Sequence, residues 1–161
     1  MSTLADNIIL SFPTVKDAVE LSRNMRDADR QELFAMGFEA VLGPILDSIR
    51  LSNPEFLFTA RSLEGSLLCI DGCNIYGRPW LLGTDLFPCY KKSSVKMARE
   101  WVKKVLIKYP YLTNEIHCRN VYGIKWLKAV GFTFDDIIDN NFQKFEIKQN
   151  ACENFTGCTD I

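Results

Sequence analysis

The chain has 161 residues, of which 47% are hydrophobic and 24% are charged, and its net charge at pH 7 is −1. This size and composition predict one domain with a sizeable apolar core. The balanced charge gives no electrostatic reason to expect nucleic-acid or membrane binding, and no apolar run approaches the roughly 20 residues that span a bilayer. We therefore expect a single domain over 1–148 and a polar C-terminal tail over 149–161.

The cysteines and the N-terminal residues indicate a reducing compartment. The six cysteines form no C-x-x-C pair and the single histidine is His117, so the closely spaced ligands of a zinc site are missing. The residues from Met1 to Asp6 lack the basic and apolar segments of a secretion signal. The sequence therefore predicts free thiols, no bound metal and a cytosolic location.

The first half of the chain runs from a strand to helices and then to further strands. Thr14, with Asp17 three residues later, is typical of a helix N-terminus with a capping box, and Gly37 suits a helix C-terminus. Glu64-Gly65 is typical of a turn between two strands of a hairpin. The predicted elements are a strand over 8–12, helices over 15–25, from 27 or 29 to 37 and over 44–51, and strands over 56–62, 67–70 and 80–84.

The second half begins with the longest predicted helix. Ala98, Trp101 and Val105 recur at helical spacing and predict its buried stripe. Asn120 suits the N-cap of a second helix, and Gly131 suits its C-terminal end. The predicted elements are helices over 94–108 and 121–129, and strands over 112–118, from 132 onward and over 142–147.

This order of elements and one motif resemble the GNAT superfamily of N-acyltransferases. The motif is N-x-x-G-I-x-W-L-x-x-x-G-F over 120–132, directly after the strand over 112–118. The resemblance implies an α/β (α+β) fold in which helices flank a mixed central sheet of about six to seven strands. The sheet is expected to splay open between the strands before and after the long helix. Acetyl-CoA is expected in this splay, with its pyrophosphate at the N-terminus of the long helix, where free N–H groups and the helix dipole favour an anion.

The resemblance also implies which residues hold acetyl-CoA and where this chain departs from the family. Ser94 and Lys96 stand where the family has glycine or alanine, which let the backbone approach the phosphates. Leu127 stands in place of the tyrosine that usually protonates the leaving thiolate. The residues assigned to the cofactor are Leu82, Gly83, Thr84, Lys91, Lys92, Ser93, Ser94, Val95, Lys96, Asn120 and Trp126.

Two carboxylates are candidate general bases by their positions. Asp85 ends the strand before the long helix, and Glu115 lies on the strand after it. The predicted helical region of the first half, which we call the helical arm, carries a charged residue at every third position: Arg26, Asp29 and Glu32. We expect these three residues to stabilise the arm through local ion pairs, each worth about 0.2–1 kcal/mol when exposed.

A closer resemblance is to a small group of phage proteins with a reduced GNAT-like pattern, among them the internal virion protein A of short-tailed phages. It is carried by R-x-x-D-x-x-E at 26–32, W-L-L-G-T-D at 80–85, the lysine-rich long helix and the 120–132 segment. Two hypotheses follow: an acetyl-CoA-binding N-acetyltransferase with altered machinery, or a non-enzymatic scaffold that binds a virion or host protein. The resemblance implies a location in the host cytoplasm or the virion.

A third hypothesis, nucleic-acid binding, rests on the basic face of the long helix. The balanced net charge and the absence of a nucleic-acid-binding motif argue against it. The residues of this face are Lys91, Lys92, Lys96, Arg99, Lys103, Lys104 and Lys108.

Overall fold

A computed structural model describes residues 3–5 and 7–149, apart from the side chains of 3–5 and 137. The predicted tail therefore lies, beyond Gln149, outside the described residues. The strands are β1 (Thr3–Ala5), β2 (Ile8–Ser11), β3 (Phe58–Ser62), β4 (Leu67–Cys73), β5 (Pro79–Gly83), β6 (Tyr111–His117), β7 (Thr133–Asp139) and β8 (Phe142–Lys148). The helices are α1 (Val15–Asn24), α2 (Asp27–Ala35), α3 (Leu42–Leu51), α4 (Lys91–Lys108) and α5 (Val121–Val130).

The strands form two antiparallel sheets that meet along one side. The first has the order β1-β2-β3-β4-β5, and the second has the order β6-β8-β7. Near the start of β5, the Asn114 amide Nδ2 donates to the Pro79 carbonyl at 2.8 Å, and the Thr113 N–H donates to the Gly77 carbonyl at 3.3 Å. Over the described residues no ladder joins β5 to β6 beyond this point. The predicted splay between the strands that flank the long helix is therefore confirmed.

The helix ends follow the local signals of the sequence. Thr14 and Asp17 form a reciprocal capping box at α1, with N–H to oxygen distances between the two residues of 3.1 and 2.9 Å. The Asn120 side chain accepts from the Gly123 N–H at 3.0 Å and caps α5. Gly37 and Gly131 end α2 and α5 with φ of 98° and 124°, a conformation that favours glycine.

Several elements differ from those that the sequence predicts. The strand β1 was not expected, because three residues are too few to show an alternating pattern. A 3-10 turn over Phe87–Tyr90 leads directly into α4, which therefore begins at Lys91 rather than at 94. The strand β4 continues to Cys73, and all of its residues are buried. The described strands number eight, slightly more than the expected six to seven.

Apolar cores lie on both faces of the five-stranded sheet. One core packs α4 and α5 against both sheets, and its buried members include Phe58, Leu68, Val105 and Phe145. The other packs α1, α2 and α3 against the opposite face of β4 and β5, around Leu21, Ile45 and Ile70. The helical arm of α1 to α3 and the pair α4 and α5 therefore enclose the splay from opposite sides.

Two further features concern the helices and the cysteines. Among the helices that the structure describes, none is long and apolar enough to cross a bilayer. The thiols of Cys69, Cys73, Cys89 and Cys118 are free, and the first two are buried. Cys152 and Cys158 lie outside the described residues.

Candidate functional site

A cavity of about 480 Å³ occupies the splay between β5 and β6. Its inner wall is formed by α4, α5 and the second sheet, and its outer wall by α2, α3 and the residues around Trp80. The apolar residues of the inner wall include Ala98, Trp101, Val102, Trp126, Val130 and Phe145. Those of the outer wall include Leu33, Met36, Phe38, Pro44 and Leu51. A cavity of this size and apolar character is typical of a small-molecule site.

Four polar residues close one end of this cavity, and we call them the Arg26 cluster: Arg26, Asp29, Glu32 and Asn120. The Arg26 guanidinium lies 3.5 Å from Asp29 Oδ1 and donates to Asn120 Oδ1 at 3.2 Å. Asn120 Nδ2 in turn donates to Asp29 Oδ1 at 3.4 Å and to Glu32 Oε1 at 3.1 Å. The cluster therefore connects the helical arm to the start of α5.

The same cluster also binds the open edge of β5 at Gly83. The Gly83 N–H donates to Asp29 Oδ2 at 2.8 Å, and the Gly83 carbonyl accepts from the Arg26 N–H at 2.8 Å. An added Cβ at Gly83 would lie 3.5 Å from Arg26 Cδ and 3.3 Å from Phe87 Cβ. The Arg26 side chain thus lies across the edge of β5, and both backbone polar groups of Gly83 are already hydrogen-bonded.

Burial controls the electrostatics of the cluster. Arg26 is 7% exposed and Asp29 is 3% exposed. Burial raises the pKa of Asp29 above its ordinary value, although Arg26 and the hydrogen bonds from Gly83 and Asn120 act in the opposite direction. Burial raises the pKa of Glu32 to about 7, and the neighbouring Asp29 charge adds to this rise. The cluster therefore holds two carboxylates near one arginine, which favours retention of a proton at neutral pH.

The start of α4 has a different character. Lys91, Lys92 and Lys96 are exposed, which places three cations beside the helix N-terminus. Ser94 is fully buried, and its Oγ accepts from the Trp126 indole N–H at 3.0 Å. The Ser94 hydroxyl also donates to the Lys91 carbonyl at 3.1 Å. The side chain that stands in place of a glycine therefore packs inward and joins α4 to α5.

The structure brings only some of the predicted site residues to the cavity. Leu82, Glu115, Asn120 and Trp126 line it, and Glu115 is exposed to solvent. The predicted residues outside its wall are Gly83, Thr84, Asp85, Lys91, Lys92, Ser93, Ser94, Val95 and Lys96. Asp85 is exposed at the end of β5. The roles assigned to all of these residues stay predictions.

The sequence interpretation of Arg26, Asp29 and Glu32 was incomplete. Arg26 and Asp29 do pair locally, as expected. Their other contacts reach Gly83 and Asn120, which lie 54 and 91 residues away from Asp29 along the chain. The only sequence signal is the three-residue spacing, which places the side chains on one face of a helix. That spacing does not reveal a partner distant in sequence.

Comparisons with solved structures agree with this architecture. The GNAT-family acetyltransferase from Bacillus anthracis matches with a TM-score of 0.63 and 13% identity, over 93% of this chain and 99% of that one. An acetyltransferase from Agrobacterium tumefaciens gives 0.65 and 12%, over 92% and 95%. Spermidine N-acetyltransferase from Vibrio cholerae, solved with CoA and spermine, gives 0.62 and 9%, over 92% and 99%. The chain therefore has the GNAT fold.

Sequence comparisons add nothing to this result, since no protein-family model and no curated protein sequence matches the chain. In the part of the chain that the structure describes, no group of three or more His, Cys, Asp or Glu side chains is arranged to hold a metal ion.

Proposed function

We propose that the protein is an acyl-CoA-binding domain of the N-acyltransferase type, with acetyl-CoA as its first candidate ligand. The observation that carries this proposal is the cavity of about 480 Å³ in the splay, whose walls are mostly apolar. The acyl group and the methylene units of an acyl-CoA suit such a cavity, and the spermidine enzyme of the same fold was solved with CoA. Exposed Lys91, Lys92 and Lys96 beside the N-terminus of α4 would attract the phosphates.

The residues fit this ligand on one condition. Because Gly83 is already hydrogen-bonded to the Arg26 backbone N–H and the Asp29 carboxylate, a ligand arm along the edge of β5 requires the Arg26 backbone and the Asp29 side chain to move. The proposed binding therefore includes a displacement of the junction between α1 and α2.

Acyl-CoA, when bound, supplies an activated acyl group, and the protein needs a base for the attacking amine. Glu115 lies on the cavity wall and is exposed. Glu32 lines the same cavity, and burial raises its pKa to about 7, which suits proton transfer near neutral pH. Asp85 lies outside the wall, so Glu115 and Glu32 are better placed as candidates.

A second candidate is a non-enzymatic scaffold that binds a phage virion protein or a host protein in the host cytoplasm. Three observations favour it: the hydrogen bonds that occupy Gly83, the inward packing of Ser94, and Leu127 in place of a proton donor. The fold alone does not decide between the two candidates, because one fold supports many functions.

Calorimetric titration with acetyl-CoA separates the candidates. We expect binding by the natural chain and at least tenfold weaker binding by a Lys91→Ala/Lys92→Ala/Lys96→Ala variant. The matched control is Lys103→Ala/Lys104→Ala/Lys108→Ala, which removes the same charge from the other part of α4 and should bind normally. No heat from the natural chain at millimolar ligand would reject acyl-CoA binding and favour the scaffold.

A further inference from the structure

The charge of the chain is unevenly distributed, and a large part of its positive charge lies on α4 and α5. These two helices carry nine of the 19 Lys and Arg residues but one of the 20 Asp and Glu residues. Their net charge of +8 leaves −9 for the rest of a chain whose total is −1. The balanced total, which argues against nucleic-acid binding in the sequence, is therefore the sum of two unlike regions.

The nine cations are all exposed and form one surface, which we call the α4–α5 basic surface. Its members are Lys91, Lys92, Lys96, Arg99, Lys103, Lys104, Lys108, Lys125 and Lys128. Arg99 joins the two helices, because its guanidinium Nη2 donates to the Ala129 carbonyl of α5 at 2.7 Å. The single acid of the two helices, Glu100, lies 3.3 Å from Lys103 Nζ. The surface is therefore continuous and almost entirely of one sign.

The lysines of this surface follow α4 along most of its length in two rows. At about 100° per residue, Lys92, Lys96 and Lys103 fall on one side of the exposed arc. Lys104 and Lys108 fall on the other side. Between Lys92 and Lys108 the helix rises about 24 Å, at roughly 1.5 Å per residue. Such an elongated surface suits a polymer of repeated negative charges better than one compact anion.

The apolar side of α4 argues against a membrane as the partner. A helix that lies in the plane of a bilayer inserts its apolar side into the lipid. That side of α4 is already buried in the core, through residues such as Met97, Val102 and Val105. On α4, which the structure describes in full, Ile107 is the one large apolar side chain that is mostly exposed. The surface therefore offers charge without an apolar anchor.

The aromatic rings of the two helices point away from this surface, which argues against a single-stranded nucleic acid. The indole of Trp101 donates to the Phe56 carbonyl at 2.9 Å, and that of the buried Trp126 donates to Ser94. Tyr122 packs edge-on against Phe87. Proteins that hold single strands stack the bases on exposed aromatic side chains. A duplex, whose bases are already stacked, makes no such demand.

The choice of cations indicates contact with phosphates rather than with bases. Eight of the nine are lysines, which act as point charges and lack the planar fork that reads guanine. The one arginine, Arg99, already donates to Ala129 through Nε and Nη2. Binding through such a surface depends on charge and not on sequence.

We propose that the α4–α5 basic surface binds double-stranded DNA through its phosphates, without preference for sequence. Duplex DNA carries about one negative charge for every 1.7 Å of its axis, so a contact of about 24 Å presents enough phosphates for the whole surface. The exposed side of α4 suits the wide major groove of B-form DNA, with one row of lysines toward each strand. The deep, narrow major groove of A-form RNA does not accept a helix in this way.

The test is fluorescence anisotropy with labelled DNA duplexes of about 20 base pairs, without any CoA compound. We expect the natural chain to bind two duplexes of unrelated sequence equally, with a Kd below about 10 µM at roughly 50 mM salt. Lys103→Ala/Lys104→Ala/Lys108→Ala should weaken binding at least tenfold at that salt concentration. It should also make the slope of log K against log salt shallower by about 3, since three cations are lost.

The matched control removes three exposed cations from the helical arm instead. Lys16→Ala/Arg23→Ala/Arg50→Ala changes the net charge by the same amount, but these residues lie on α1 and α3. This variant should bind the duplex within about twofold of the natural chain, because screening limits the reach of exposed charges to about 10 Å. Net charge alone would weaken both variants equally.

Three results would overturn the proposal. The first is no duplex binding by the natural chain at low salt, which needs no variant. The second is an equal loss of affinity in the two triple variants. The third is tighter binding to an RNA duplex, to phosphatidylserine vesicles or to polyglutamate than to DNA, which would assign the surface to another anionic partner. The α4 variant is expected to retain acetyl-CoA, so failure here is distinguishable from failure of the acyl-CoA proposal.

Discussion

The start of α4 and the Arg26 cluster both carry charge at the edge of the splay, but they differ in burial and in reach. The lysines of α4 are exposed and adjacent in sequence. The Arg26 cluster is largely buried and joins the helical arm to β5, β6 and α5 through hydrogen bonds. Exposed charge is screened and contributes little to folding, whereas buried charge depends strongly on its partners. The first region can therefore change with little structural effect, and the second cannot.

The largest expected effect is that of Arg26→Met. It leaves Asp29 buried without a cation, so the free energy of unfolding should fall by about 3–5 kcal/mol in urea denaturation. The matched control is Arg50→Met, because Arg50 forms the same kind of pair with Asp47 at 3.2 Å on an exposed surface. That control should cost less than about 1 kcal/mol. The double change Arg26→Met/Asp29→Asn should recover part of the loss, and equal losses for the two arginines would contradict the comparison.

The next effect is expected from Ser94→Ala. This change leaves the buried indole N–H of Trp126 without an acceptor, which should lower the free energy of unfolding by about 1–3 kcal/mol. Ser93→Ala, at the half-buried neighbouring position, is the control and should change it by less than about 0.5 kcal/mol. Thermal or urea unfolding of both variants measures the difference. Similar stabilities would mean that Ser94 does not join the two helices energetically.

A comparable effect concerns pH and Glu32. Burial raises the pKa of Glu32 to about 7, from an ordinary value of 4.5, so the folded chain retains a proton that the unfolded chain has lost. Stability from this group is therefore present at low pH and is lost as the pH rises through about 7. Glu32→Gln should reduce the fall in stability between about pH 5 and 8 by roughly 2 kcal/mol. Exposed Glu115→Gln should leave the profile unchanged, and a steeper profile for Glu32→Gln would contradict the assignment.

The smallest effect is that of Lys91→Ala/Lys92→Ala. Cations beside a helix N-terminus oppose the helix dipole, so this variant should gain about 0.3–1 kcal/mol of stability at low salt. The gain should shrink in high salt, because exposed charges are screened. Lys104→Ala/Lys108→Ala, which lie further toward the C-terminus of α4, should give no gain. Urea unfolding at two salt concentrations tests this, and a loss of stability at low salt would contradict the exposed placement.

Much of the fold was predictable because its signals are local. Thr14, Asn120 and Gly131 mark helix ends through their own side chains or backbone freedom, and the structure confirms each of them. The strand β1 was not predictable from three residues. The start of α4 at Lys91 was missed, because a 3-10 turn over Phe87–Tyr90 leads directly into the helix.

The candidate site was less predictable, because its contacts are long-range. The bond from Asn120 to Asp29 joins residues 91 positions apart, and no periodicity encodes such a pair. Asp71 did carry a signal, as a single acid in the apolar strand β4, but only the structure shows that it lines a cavity. Leu82, Asn120 and Trp126 line the cavity, and their assignment to the cofactor came from the resemblance and stays a prediction.

The hydrogen bonds at Gly83 also make the opening of the splay measurable by amide hydrogen exchange. The amide hydrogens of Gly83 and Arg26 exchange with solvent only when the junction between α1 and α2 leaves the edge of β5. The amide of Thr113, at the joined end of the two sheets, donates to the Gly77 carbonyl, and movement of the helical arm does not break that bond. Deuterium uptake at Gly83 relative to Thr113 would therefore measure how often the chain opens its own cavity before any ligand is added.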